Sequence, residues 1–223
     1  MRLAAVALVA LAVAGCGGGG TELKVSAASS LKGAFTAYRP HARYSFAGSD
    51  QLAAQIRAGA RPDVYAAADT ELPASLHRAG LVGRPVVFAH NRLVLATRSP
   101  KIRSVADAAR PGVTLAMGAP SVPAGLYARR AIARLPERRR ILANVRSEEP
   151  DVAGVVGKVS EGAVDAGFVY ATDARAARLR AIDLGARATY AVAVVRPSAA
   201  ATRFVRGLLS GAGRRALLEA GFQ

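Results

Sequence analysis

Four short stretches place small or hydroxyl-bearing residues where a helical periodicity begins. In VSAASSLKGAFTAY (residues 25–38), Leu31, Ala34, Phe35 and Tyr38 recur at i, i+3, i+4 and i+7, one apolar helix face. Ser30 stands just before that face, where an N-cap is expected. In FAGSDQLAAQIRAGA, Gly48 allows a tight turn and Ser49 precedes a helix carrying Leu52, Ala53 and Ile56. In GAPSVPAGLYARRAIARL, Pro123-Ala124-Gly125 opens a helix with Ala128, Ala131, Ile132 and Leu135 on one side. In EEPDVAGVVGKVSEG, Asp151-Val152 opens another, with Val152, Val155, Val156 and Val159 in register.

A helix start leaves backbone N–H groups without partners and carries about half a positive charge. Small residues crowd these starts (Ala28, Gly48, Ala124, Gly125, Ala153, Gly154), so backbone can come close to a guest. If the four starts converge, their charge sums to about +2, matching a dianion held without arginine or lysine. Each charge-assisted hydrogen bond to such a guest contributes about 1.5–3 kcal/mol.

Convergence requires elements that bring distant helix starts together. Strands are expected at Leu23–Ser26, Tyr44–Phe46, Val64–Ala66, Val86–Phe88, Leu93–Ala96, Thr114–Met117, Ala166–Val169 and Tyr190–Val195. Amphipathic helices alternate with them, which predicts an α/β fold with mainly parallel sheets and helices on both faces. Around Asn91 one apolar run follows another with little between, and Ala191–Val195 offers a return path. Two such crossover segments would join two lobes around a cleft.

The N-terminus reads as an export signal: one arginine, then an apolar run ending at Gly15, too short for a membrane span. Val13-Ala14-Gly15-Cys16 resembles the lipobox of bacterial lipoproteins, with Cys16, the chain's single cysteine, as the lipidated residue. Gly17–Gly20 then forms a flexible tether. This predicts an exported protein held by a lipid anchor at the outer face of the cytoplasmic membrane. A net charge of +16 suggests anionic partners. Nucleic acid is not among those expected, because the chain is exported, aromatic residues make up 5%, and the arginines are dispersed. The cluster Arg138–Arg140 beside Pro136 reads as a solvated helix end.

The chain also resembles the periplasmic molybdate-binding proteins that feed ABC importers, over essentially its whole mature length. The matching stretches are AASSLKGAF, FAGSDQLAAQIRAGARPDVYAAAD, NRLVLAT, GAPSVPAGLYA, the Asp151-Val152 turn, GFVYATDA, YAVAVV and LLEAGF. The resemblance implies a two-lobe type II periplasmic-binding-protein fold with the oxyanion in the cleft. It also implies two serines, two backbone amides and a tyrosine as ligands, which fall on Ser30, Ser49, Ala124, Val152 and Tyr170. Tyr170 by itself reads as a core tyrosine at a strand end; only the resemblance marks it. The implied layout is a signal peptide at 1–15, lipidated cysteine and tether at 16–22, and lobe 1 at 23–90. Lobe 2 then spans 91–190, and 191–223 returns to lobe 1.

By the same resemblance the partners are molybdate, with tungstate also accepted, and an importer permease. A monomer is expected, with no cofactor and with molybdenum entering only as the oxyanion. GAPS departs from the family, whose members carry an acidic residue and one more position there. Asp50, beside Ser49, is expected to turn its carboxylate away from the anion.

A site built only of donors suits a fully deprotonated tetrahedral oxyanion. Hydrogen phosphate brings a proton that needs an acceptor, and a donor left facing it costs about 1–3 kcal/mol. Sulfate carries no proton and must be rejected by its smaller size. Receptors for sulfate or a small organic acid are the alternatives of the same kind. An enzyme alternative comes from Ser29-Ser30-Leu31-Lys32, which fits the S-x-x-K motif of penicillin-binding enzymes. The companion elements are missing: the chain has Ser49-Asp50-Gln51 in place of S-D-N and no K-T-G. A transition-metal receptor would need clustered ligands, whereas His41, His77 and His90 are scattered.

Overall fold

The computed structural model describes residues 22–223. Its strands are β1 (Lys24–Ala28), β2 (Arg43–Ala47), β3 (Val64–Ala67), β4 (Val86–Thr97), β5 (Leu115–Gly118), β6 (Val145–Glu149), β7 (Ala166–Tyr170) and β8 (Arg180–Val194). The helices are α1 (Lys32–Tyr38), α2 (Ser49–Arg57), α3 (Glu71–Arg78), α4 (Pro123–Ile132), α5 (Arg138–Ala143), α6 (Val152–Ser160), α7 (Ala171–Ala176), α8 (Ala199–Leu209) and α9 (Ala212–Ala220). All eight strands bond in the order β2-β1-β3-β8-β4-β7-β5-β6.

Each flank of this sheet is parallel. β1 pairs with β2 and β3 on one side, and β5 with β6 and β7 on the other. The antiparallel pairings all involve β4 and β8, which run against each other and against β3 and β7. These two long strands serve both halves of the α/β fold, so the halves share hydrogen bonds through them. Their register runs from Val86 opposite Val192 to Thr97 opposite Arg180. It slips between Leu93 and Val94, where Gly185 takes a left-handed conformation (φ 65°) suited to a bulge.

Three expectations change here. The runs Val86–Phe88 and Leu93–Ala96 are parts of one strand, because His90-Asn91-Arg92 stays in the ladder despite its polarity. Asn91 is buried there, with its Nδ2 donating to Thr172 Oγ1 (2.8 Å). β8 begins ten residues before Tyr190; its first part, RAIDLGARAT, alternates exposed and half-buried positions and hides its pairing with β4 in polar composition. β6, VRSEE, is a polar edge strand with no apolar signal.

The main core gathers around aromatic rings. Phe35 of α1 meets Phe204 of α8 edge-on at 5.3 Å, and Tyr190 of β8 meets Phe222 at 5.3 Å and Phe88 at 6.2 Å. Gln223 exchanges two backbone hydrogen bonds with His90, tying the end of the chain to the crossing strand. A second cluster (Leu52, Ile56, Tyr65, Leu76, Val82) seats α2 and α3 against β3 and β8. Both clusters brace strand ends that lead into helix starts. No helix among the described residues is long and apolar enough to cross a membrane.

Candidate anion-binding site

Each candidate residue stands where a strand gives way to a helix. β1 ends at Ala28, and Ser29–Leu31 form a 3-10 turn before α1. Ser30 does not cap a helix, contrary to expectation. Ala28 precedes the turn and Leu31 precedes α1, and neither makes a side-chain cap. The Ser30 hydroxyl lies instead 3.0 Å from the Tyr190 hydroxyl. Ser49 is the first residue of α2, after Gly48, and its hydroxyl also leaves its own helix end alone. Ala68 N–H donates to Ser49 Oγ (3.0 Å), and the Tyr65 hydroxyl donates to the Ser49 carbonyl (2.7 Å). Ala68 follows the end of β3 and Tyr190 lies within β8, so in both cases the sheet supplies a fixed partner and the hydroxyl follows it.

The other starts match their local signals. Pro123 opens α4 with Ala124 next, and no intrahelical partner exists for N–H groups in that first turn. Val152 opens α6 behind Asp151, whose carboxylate caps it by accepting from Gly154 N–H (3.0 Å). Tyr170 ends β7 and precedes α7.

These residues meet in one cavity. Ser30, Ser49, Ala124, Val152 and Tyr170 all line it, together with Ser29, Gly48, Ala68 and Asp151. Its volume is about 10 Å³ to a water-sized sphere. No arginine, lysine or histidine is among the lining residues. Asp151 supplies the charged side chain, and its Oδ1 accepts from Gly154 N–H in capping α6.

The hydroxyls present donors. Tyr170 Oη is buried and makes no close hydrogen bond, with the Tyr190 hydroxyl nearby, so its proton can turn to a guest. Burial, with Tyr190 and carboxylates nearby, pushes the Tyr170 hydroxyl well above its ordinary pKa, so it keeps that proton. Ser49 Oγ already accepts from Ala68 N–H, which leaves its proton to give. Two carboxyls stand just behind the site. Burial pushes Asp69, next to Ala68, up to about 6, and pushes Asp173, which accepts from Tyr170 N–H (3.3 Å), up to about 7.

Contacts across the cleft close the cavity. Ser121 Oγ donates to Asp50 Oδ2 (2.7 Å), joining α2 to the turn before α4. Asp50 does not line the cavity, but its carboxylate is not turned wholly outward as expected: Oδ2 accepts from Ser121, while Oδ1 is buried without a partner beside Gly48. Gly48 meets Pro150 closely enough that no side chain would fit between them.

Ala68, Tyr65 and Tyr190 were not visible as site residues in the sequence. Ala68 and Tyr65 flank or form an apolar strand end, and Tyr190 sits in an apolar strand; each reads as core. Lys32 of the S-x-x-K match is exposed and does not line the cavity. No group of three His, Cys, Asp or Glu among the described residues is placed to hold a metal ion. The signal segment, Cys16 and the glycine tether lie outside the described residues.

Comparisons with known proteins agree with this architecture. The family described as bacterial extracellular solute-binding protein matches residues 23–223. The molybdate-binding protein ModA of Mycobacterium tuberculosis is 38% identical over 92% of this chain and 85% of its own length. In fold, the periplasmic molybdate-binding protein of Azotobacter vinelandii superposes with a TM-score of 0.79 at 22% identity, covering 91% of this chain and 99% of its own. The sulfate-binding protein SubI of Mycobacterium tuberculosis superposes at 0.80 with 16% identity, covering 91% and 86%. Those two likenesses concern the fold alone. The two-lobe α/β architecture, the cleft lined by helix starts and the match over residues 23–223 place this chain in the bacterial extracellular solute-binding protein family.

Proposed function

We propose that this protein is an extracytoplasmic receptor that binds molybdate, and tungstate with it, and hands it to an ABC importer. The observation that carries the reading is the convergence of Ser30, Ser49, Ala124, Val152 and Tyr170 on one small cavity without a cationic side chain. Ser49 and Tyr170 offer protons there, and the starts of α4 and α6 add backbone donors. Such a site favours an oxyanion that carries no proton, and the 38% identical ModA supports molybdate as that anion. The protein performs no chemistry on its ligand in this reading.

Lobe 1 comprises 23–90 and 191–223 and lobe 2 comprises 91–190, with the ligand between them. Cys16 carries the lipid anchor, the 16–22 tether reaches from it to the lobes, and the receptor works as a monomer. Replacing Cys16 by Ser should release the protein into the soluble fraction with anion binding intact; a variant that still pelleted with membranes after high-salt washing would refute the anchor.

Calorimetric titration with molybdate, tungstate, sulfate and inorganic phosphate tests the ligand. Molybdate and tungstate should bind tightly, sulfate far more weakly because its smaller shell leaves donors out of reach, and phosphate hardly at all near neutral pH. A protein preferring sulfate would replace this reading with a sulfate receptor. Phosphate displacing molybdate at comparable concentration would show an acceptor in the cleft and refute the donor-only site.

A further inference from the structure

Ser30 is the candidate ligand whose hydroxyl is paired with another hydroxyl. Its partner, Tyr190, is fully buried on β8 and does not line the cavity. The ring is held on three sides: Tyr170 at 5.6 Å, Phe222 at 5.3 Å and Phe88 at 6.2 Å, each edge-on. A phenol so fixed can move its oxygen little, so the 3.0 Å contact with Ser30 Oγ is a built feature of the site. In that contact either oxygen can be the donor. An anion beside Ser30 removes the ambiguity, because Ser30 must then point its proton at the anion and accept from Tyr190.

We propose that Tyr190 is a positioning residue: by donating to Ser30 Oγ it commits that hydroxyl to act as a donor and thereby helps exclude protonated oxyanions. This rests on the oxyanion reading of the cavity. A serine hydroxyl is in general both donor and acceptor. Left unpaired, Ser30 could rotate and accept the proton of hydrogen phosphate. With Tyr190 donating from behind, an accepting lone pair is occupied and the proton faces the cavity. Ser49 is treated the same way by Ala68 N–H. Two serines on different strand-to-helix turns thus each receive a hydrogen bond from the scaffold, one from backbone and one from a side chain.

The test is Tyr190→Phe, which keeps the packed ring and removes only the hydroxyl. Titrations use molybdate, sulfate and inorganic phosphate, and a thermal melt checks that the fold is retained. Molybdate affinity should fall about three- to tenfold. The preference for molybdate over phosphate should shrink by about tenfold or more, because phosphate gains an acceptor as molybdate loses a fixed donor. The preference for molybdate over sulfate, set by size, should hold within about twofold, since neither ion carries a proton. A purely structural role for Tyr190 would weaken all three anions alike and leave both preferences unchanged, which would overturn the proposal.

A double-mutant cycle with Ser30→Ala adds a second readout. If Tyr190 acts through Ser30, removing its hydroxyl should have no further effect once Ser30 has lost its own. Equal effects of Tyr190→Phe with and without Ser30 would also overturn the proposal. A parent protein that binds sulfate in place of molybdate would refute the molybdate reading alone, since the cycle and the phosphate arm can be run against sulfate. A parent binding none of these anions would refute both.

Discussion

A methyl group placed on Gly48 would lie 2.4 Å from the carbonyl oxygen of Pro150. Gly48 precedes α2 and Pro150 precedes the Asp151-Val152 turn, so the two halves of the fold touch here beside the cavity. Closure of the cleft therefore depends on the absence of a side chain at position 48. Gly48→Ala should lower the melting temperature of the free protein only slightly, because the contact with Asp50 Oδ1 is relieved by turning that side chain, whereas the backbone of Pro150 cannot give way in the closed cleft. Anion affinity should fall by roughly tenfold or more, about 1.4 kcal/mol, as the donors of α6 are held away. Calorimetry beside a thermal melt distinguishes this outcome from simple misfolding, which would lower both.

Ser49→Ala and Tyr170→Phe should each weaken molybdate binding by about 1.5–3 kcal/mol, the value of a hydrogen bond to a charged group. Their effects on the free protein should differ. Losing the Ser49 hydroxyl strands the Ala68 N–H, costing about 1 kcal/mol of stability or somewhat more. The Tyr170 hydroxyl has no partner to strand, so Tyr170→Phe should be neutral or slightly stabilising. Chemical denaturation and titration of both variants check the pattern, and unchanged affinity in both would remove these residues from the site.

The Ser121–Asp50 hydrogen bond should govern how long the cleft stays shut. Ser121→Ala should raise the dissociation rate several-fold while the association rate stays close to the parent's, because the bond forms only after the lobes meet. Asp50→Asn keeps an acceptor for Ser121 and removes a negative charge near the cavity, so it should tighten anion binding. Stopped-flow release of bound molybdate measures both; an Asp50→Asn variant that bound more weakly would contradict this role.

Asp173 and Asp69 make stability depend on pH in a definite direction. Burial raises them to about 7 and about 6, whereas an unfolded aspartate titrates near 3.9. Between about pH 4 and 7 the folded protein therefore binds more protons than the unfolded chain, and stability falls as pH rises through that window. The ligand-free protein should melt higher at pH 5 than at pH 8. Asp173→Asn retains an oxygen for Tyr170 N–H and should narrow that gap by stabilising the protein at pH 8. A gap of unchanged size in this variant would mean that Asp173 is already ionised in the fold.

The helix starts were legible in the sequence because their signals are local. Leu31, Ala34, Phe35 and Tyr38 announce α1, Pro123 announces α4, and Asp151 caps α6 three residues ahead of its acceptor's partner. The alternation of these helices with short apolar runs was enough for an α/β class. What burial periodicity does not encode is which group faces which across the fold. Ser30 looked like an N-cap and Ser49 stood at a helix start, yet each hydroxyl pairs elsewhere, one with Tyr190 160 positions away and the other with Ala68. A hydroxyl takes whichever partner the packed strands hold still at the right distance. Tyr190 reaches Ser30 only once β8 lies beside β3, and Ala68 reaches Ser49 only once β3 and β2 flank β1. For the same reason β4 reads as two strands and the first part of β8 as none: a ladder supplied from a distant strand keeps His90-Asn91-Arg92 and RAIDLGARAT extended where local composition would not. The sequence by itself determined where helix ends would offer donors, and the tertiary structure decided that they meet around one cavity and which way their hydroxyls point.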